Sequence, residues 1–224
     1  MLDGRRILVP KGARRKIIEE LHRAHSGLTK TLKTARQLCF WLNVKEELRK
    51  AIDPCQHNQE DRPAQARQTL KGLLPPASVQ PMLHVATDLF DLYGDAYIIL
   101  VDRYSGYSWT EKLRRTDTRS ICETLTRWFT EFGWPTYIRT DGGPQFCGEF
   151  REYCVWNVIK HKLASAYSPE SNGLAKTAVK NMKSLLSRCI WAKENIPMAI
   201  AVWQNMARDD GQLPSQLFLS LIHI

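Results

Sequence analysis

The spacing of apolar positions changes part-way along this chain. Over residues 13–36, Ile17, Ile18 and Leu21 recur at helical spacing, and Ser26-Gly27 interrupts the pattern, so the segment reads as helices. Lys45–Ile52 reads as another helix, stopped at Asp53-Pro54 because the residue before a proline is pushed out of helical backbone. Residues 58–78 are polar and carry Pro63, Pro75 and Pro76, the composition of a linker. After Met82 the period shortens to two. His84–Leu92 alternates, Gly94-Asp95 turns the chain, Ala96–Val101 is a continuous apolar run, Ser105-Gly106 turns it again, and Tyr107–Leu113 follows. Turns this short predict three antiparallel strands in a meander. Thr118–Phe132 then places Ile121, Leu125, Trp128, Phe129 and Phe132 on one helical face, ended by Gly133 and Pro135. A strand over 136–140, a helix over 146–155, a strand over 160–164 and a helix over 173–192 complete the pattern. The last helix turns Val179, Met182, Leu186 and Cys189 inward. Five strands interleaved with helices predict a mixed α/β sheet with helices packed against it.

Composition adds a polarity to this outline. The chain has 224 residues, 43% of them apolar, enough for one large or two small globular units. Its net charge is +9 and uneven: residues 1–75 hold 16 Lys and Arg against 8 acids, the rest 16 against 15. A basic first third suits a polyanionic partner, and equally an ordinary solvated surface. Cysteines 39, 55, 122, 147, 154 and 189 show no disulfide spacing and read as reduced thiols. There is no apolar leader and no run long enough to span a bilayer, so the expectation is a nuclear or cytoplasmic protein, not a secreted or membrane one. Lys11–Lys16 is a short basic cluster of the kind that can serve as a nuclear address.

Two groups of residues carry candidate chemistry. Asp88 lies within the first strand and Asp141 just past the fourth; if those strands are neighbours, the carboxylates meet at one edge. Close carboxylates repel unless a cation sits between them, and hard oxygen donors favour Mg²⁺. Read singly, they are a strand acid and a turn former. His22 and His25 share a helix face, and Cys55 follows; with a fourth donor they can close a tetrahedral Zn²⁺ site. Asn58 stands where a second Cys would be expected, leaving His57 and Cys39 as substitutes. Lys176, Lys180 and Lys183 fall on one face of the last helix, which reads equally as solvated or as a holder of DNA phosphates. Pro144, Gln145, Tyr167 and Asn172 flank the same mouth and are candidate DNA contacts.

These motifs resemble a known family. Leu21-His22-x-x-His25-x-Gly27-x-x-Lys30-Thr31-Leu32, then Phe40-Trp41, then Cys55, is similar to the zinc-binding N-terminal domain of integrases from retroviruses and gypsy-type LTR retrotransposons. Thr87-Asp88-Leu89-Phe90, Val101-Asp102-Arg103-Tyr104-Ser105, Thr140-Asp141-Gly142-Gly143-Pro144-Gln145-Phe146 and Ser168-Pro169-Glu170-Ser171-Asn172-Gly173 resemble the integrase catalytic core. The ordered set carries the resemblance; each motif alone is weak. It implies a ribonuclease H-like α/β fold: a mixed five-stranded sheet with flanking helices, preceded by a small helical zinc-finger-like domain. The implied layout is a zinc-binding-like domain at 1–60, a linker at 61–80, a core at 81–219 and an unassigned tail at 220–224. It further implies a DNA partner, a homo-oligomer, Mg²⁺ or Mn²⁺ at the core and Zn²⁺ at the N-terminal domain, with 3′-end processing and strand transfer as the reaction. Asp88 and Asp141 match the first two catalytic acids.

The departures are as informative. The third acid, a Glu opening the last helix, aligns with Lys176; Glu170 comes too early to aim at the same point. The second zinc Cys aligns with Asn58, and the usual Pro-Gly after the aromatic pair is Leu42-Asn43. Lys176 is therefore expected to bridge Asp88 and Asp141 in the metal's stead, disabling two-ion catalysis. Other readings are a non-enzymatic nucleic-acid-binding module kept from an integrase, a ribonuclease or resolvase of the same fold, and a decayed gene copy.

Overall fold

A computed structural model describes residues 6–55, 78–164, 173–208 and 211–219. The chain divides into two compact units, one of Met1–Gly72 with Ser184–Ile224 and one of Leu73–Lys183.

In the first unit, β1 (Ile7–Leu8) pairs in parallel with β2 (Cys39–Phe40). Between and after them come α1 (Arg14–His22), α2 (Leu28–Leu38) and α3 (Val44–Ile52). Val9, Ile18, Leu32, Ala35, Cys39, Trp41, Leu48 and Ile52 form their common core. Burying these side chains is what holds three helices of 9 to 11 residues, each too short to persist alone in water. Asn43 enters α3 in left-handed backbone at φ 66°, a conformation asparagine tolerates better than most residues with a side chain.

In the second unit, β3 (His84–Leu92), β4 (Asp95–Asp102) and β5 (Ser108–Leu113) form an antiparallel meander. Then come α4 (Thr118–Phe132), β6 (Tyr137–Thr140), α5 (Glu149–Trp156) and β7 (Lys160–Leu163). The sheet order is β5-β4-β3-β6-β7, with β3, β6 and β7 parallel. The first turn is Tyr93-Gly94, one residue earlier than the sequence predicts. Both residues have positive φ, 51° and 84°, the two-residue geometry that matches strand twist. Helix α4 is capped by Asp117, which accepts from the Ser120 N–H at 2.8 Å, and buries Ile121, Leu125, Trp128 and Phe129.

The helix expected over 146–155 is in fact two pieces, a 3₁₀ turn at Pro144–Phe146 and then α5. Gly148 separates them at φ +48°, which a helix interior does not accommodate. Helix α5 ends on Val158, left-handed at φ 57°, with the Ile159 N–H donating to the Cys154 carbonyl at 2.8 Å. That closing residue is usually Gly, and here it is β-branched and 86% exposed. Val158→Gly is therefore expected to stabilise the protein by about 1 kcal/mol, backbone strain relieved less the added freedom of the unfolded chain. Denaturant melts check this; a loss of stability would mean the strain is not there.

The last long helix, α6 (Gly173–Ala192), begins in the second unit and ends in the first. Met182, Leu185, Leu186 and Cys189 are buried along it, and Val179 is half-buried. Two helices follow in the first unit, α7 (Ile196–Gln204) and α8 (Pro214–Leu219). They are tied to α2: the Ala207 N–H donates to Thr34 Oγ1 at 2.9 Å, and Lys30 Nζ lies 3.3 Å from the Trp203 ring centroid. Among the described residues no helix is long and apolar enough to cross a membrane.

Candidate active site and metal centre

Strands β3 and β6 lie side by side in parallel, with His84 opposite Tyr137 and Ala86 opposite Arg139. Two residues further along each strand stand Asp88 and Asp141, so adjacency of the strands brings the two carboxylates to one end of the sheet. Asp141 is held from several sides. Its Oδ1 accepts from the Gly143 N–H at 3.1 Å, a side-chain-to-backbone turn that aspartate forms readily. Its carbonyl accepts from Thr140 Oγ1 at 2.9 Å, and that hydroxyl meets His161 Nε2 at 2.8 Å. With the hydroxyl proton given to the carbonyl, the imidazole must be the donor to Thr140. This support from β7 has no signature in the sequence, where His161 reads as an ordinary strand residue.

Asp88 is half-buried and accepts from the Leu89 N–H at 2.9 Å. Its carboxyl is pushed above the ordinary carboxylate value, first by burial and then by the charge of Asp141. The Leu89 N–H and the ammonium groups of Lys176 and Lys183 pull it back down. The two acids and Lys176 thus share one electrostatic neighbourhood, although they come from β3, the end of β6 and the start of α6. The bridging contact predicted for Lys176 is not made here. Its side chain is exposed, and among the described residues no ion pair joins it to Asp88 or Asp141; it acts through the field. Lys183 lies 5.7 Å from the Phe90 ring centroid, and Lys180 is exposed. Pro144 is exposed and Gln145 half-buried, its carbonyl accepting from Thr118 Oγ1 at 3.1 Å. Tyr167, Glu170 and Asn172 lie outside the described residues. Two carboxylates offer hard oxygen donors to Mg²⁺, and the Lys176 ammonium in the same neighbourhood is a charge that opposes a bound cation.

The other cluster lies in the first unit. The ligand atoms of His22, His25 and Cys55 all lie within 4.8 Å of one another. His25 Nδ1 is 3.4 Å from Cys55 Sγ, and the two imidazoles meet edge-on with centroids 5.3 Å apart. His22 closes α1, and His25 follows at φ 46° just before α2, so the helix end and the turn together aim both rings at Cys55. Neither ring nitrogen of His22 makes a hydrogen bond of ordinary geometry, although both are buried. Burial holds this imidazole below its usual value, and the Ser26 backbone only partly offsets that. Buried, neutral imidazole nitrogens aimed at a thiol suit Zn²⁺. Cys39 is not a substitute ligand: it sits in the apolar core with its thiol donated to the Ala35 carbonyl at 3.2 Å. His57 and Asn58 lie outside the described residues.

Both halves of this picture have counterparts among known proteins. Residues 9–64 match the integrase zinc binding domain and residues 79–169 the integrase core domain, together about two thirds of the chain. An uncharacterised Caenorhabditis elegans protein, K02A2.6, is 26% identical over 184 residues, 82% of this chain and 14% of that protein. The Gag-Pro-Pol polyprotein of human T-cell leukemia virus 2 is 33% identical over 106 residues, 46% of this chain and 7% of the polyprotein. The chain therefore spans only a small part of the curated relatives it matches. Among solved structures, the simian T-cell lymphotropic virus intasome in complex with the PP2A regulatory subunit B56 gamma has a chain that aligns with TM-score 0.58 at 21% identity. That alignment covers 90% of this chain and 74% of the other. The HTLV-2 integrase catalytic core domain in complex with magnesium aligns with TM-score 0.52 at 22% identity, over 62% of this chain and 98% of that one. The two matched domains in their family order, on a five-stranded ribonuclease H-like sheet, make this chain a member of the integrase family of retroviruses and LTR retrotransposons.

Proposed function

We propose that this protein is a DNA-binding, integrase-type polynucleotidyl transferase by descent, derived from a retrotransposon, in which the metal-dependent step is impaired at Lys176. The observation that carries this is the ammonium of Lys176 acting on Asp88 beside Asp141, where a further acid would complete the ligand set. With Mg²⁺ or Mn²⁺ bound, such a site would polarise a phosphodiester; this chain's acids would hold the ion and Lys176 would repel it. Pro144, Gln145, Tyr167, Asn172, Lys180 and Lys183 are proposed to line the DNA path at this mouth. Zn²⁺ is proposed at His22, His25 and Cys55, as a structural ion that ties the end of α1 and the turn after it to the segment following α3. A homo-oligomer is proposed from the family, as is a nuclear or cytoplasmic location.

A second reading, a nucleic-acid-binding module with no residual chemistry, is favoured by the same exchange of acid for base. Incubating the purified protein with linear duplex DNA and Mg²⁺ or Mn²⁺ tests the proposal. The expected outcome is DNA retention without strand joining. Strand transfer that Asp141→Ala abolishes would refute the impairment, and absence of DNA binding would refute both readings.

A further inference from the structure

The sheet face that carries Asp88 continues away from it as a cationic ledge. In register across β3, β6 and β7 stand His84, Tyr137 and Lys160; two residues along stand Ala86, Arg139 and Lys162. Residues in register share a face, so these rows lie on the same side as Asp88. The opposite side is occupied: Ile138 is fully buried, and His161 meets the Phe150 ring of α5 at 5.1 Å. Strand β7 is an edge of the sheet, and Lys160 and Lys162 are exposed on it.

Tyr137 organises the ledge. The His84 ring stacks on it at 4.5 Å and 9°, and the Nζ atoms of Lys162 and Lys160 lie 4.7 and 5.2 Å from its centroid. A cation held over an aromatic ring loses less freedom when it meets a phosphate than a loose surface lysine does. Positive charge converges here: Lys162, Arg103 and Arg139 all act on the His84 imidazole, which burial first pushes down. The acid that opposes them, Asp102, is buried and committed elsewhere. It accepts from the N–H groups of Met82 and Ser105 and from Ser105 Oγ at 2.6 to 3.0 Å. Among the described residues neither Lys160 nor Lys162 makes an ion pair. The rows are roughly 7 Å apart, two residues at strand rise, and they run toward Asp141. Charges laid out in line match successive phosphates along a strand rather than one isolated anion.

We propose that Lys160, Lys162 and Arg139, seated around Tyr137, form a phosphate-binding ledge that leads a DNA strand toward Asp88 and Asp141. The inference rests on the DNA-binding reading above and adds residues that reading does not contain. It is tested by fluorescence anisotropy of the full chain with a labelled duplex over a salt series. Lys160→Gln with Lys162→Gln should weaken binding at least about tenfold and lower the slope of log K against log salt by about two, one per lost phosphate contact. Lys160→Arg with Lys162→Arg should keep both, and Lys112→Gln with Arg119→Gln, on β5 and α4, should leave the slope unchanged. If the wild type binds DNA and the ledge variant behaves like the β5 and α4 control, the ledge is wrong and the DNA-binding reading stands. If the wild type shows no salt-dependent binding, that reading fails and takes the ledge with it.

Discussion

Lys176→Glu should strengthen divalent-metal binding at Asp88 and Asp141. The exchange replaces a positive charge by a negative one beside Asp88 and Asp141. Lys176 is exposed and touches neither acid, so each unit of charge there is worth on the order of 1 kcal/mol, but the exchange changes the charge by two units against a divalent ion. A gain of about 3 kcal/mol or more in Mg²⁺ binding is therefore expected, roughly a hundredfold or more in Kd. Lys176→Gln, which removes the charge without adding a donor, should fall between the two. Calorimetric titration with Mg²⁺ reads the difference directly. If Lys176→Glu binds Mg²⁺ no better than the wild type, the block lies elsewhere in the site. Because Lys176 is exposed, neither substitution should disturb folding, so a null result is interpretable.

The other large effect is expected at His22, His25 and Cys55. Metal that binds only the folded unit stabilises it by about 2.7 kcal/mol when free metal is at a hundred times Kd. Adding a chelator, or changing Cys55→Ser, should remove that contribution and lower the melting temperature of the first unit. Co²⁺ in place of Zn²⁺ should give a single-thiolate charge-transfer band, and Asn58→Cys should strengthen both the band and the affinity. The pH dependence has a definite sign. Burial holds the His22 pKa below its usual 6.5, so its contribution is fully present above that value and is lost as pH falls below it. Melting curves that are identical with and without chelator, in both the wild type and Cys55→Ser, would remove zinc from the account.

Elements whose local signals agree are legible in the sequence. Helix α4 has an Asp117 cap, a stripe from Ile121 to Phe129 and a closing Gly133, and it runs over the residues the pattern predicts. The meander is plain in outline, because alternation and short turns mark its three strands, but the pairing of its first hairpin follows a turn one residue earlier than the pattern predicts. Elements decided by distant partners are not. The pairing of β1 with β2 involves two residues on each side and leaves no periodicity to read. Helix α7 is apolar nearly all round, so it shows no stripe. The break before α5 depends on Gly148 adopting positive φ, which the presence of a glycine permits but does not require.

The candidate sites divide in the same way. Asp88 and Asp141 could be placed together only by supposing that their strands are neighbours, and the parallel pairing of β3 with β6 supplies that. The grouping of His22 and His25 with Cys55 was readable from spacing, whereas the exclusion of Cys39 needed the core into which its side chain turns. Lys176 was readable as a foreign charge at a helix start. That it acts on Asp88 without touching it depends on side-chain placement, which spacing does not encode. The support running from His161 through Thr140 to Asp141 joins two strands and could not be seen from either.

The central claim is that an ammonium group has taken the place of a metal ligand beside two aspartates. Counting Mn²⁺ bound to the wild-type protein by electron paramagnetic resonance, with Asp88→Asn and Asp141→Asn measured alongside, addresses it most directly. The account predicts that all three proteins bind the same small amount of ion. A tight site in the wild type that disappears in both variants would contradict it.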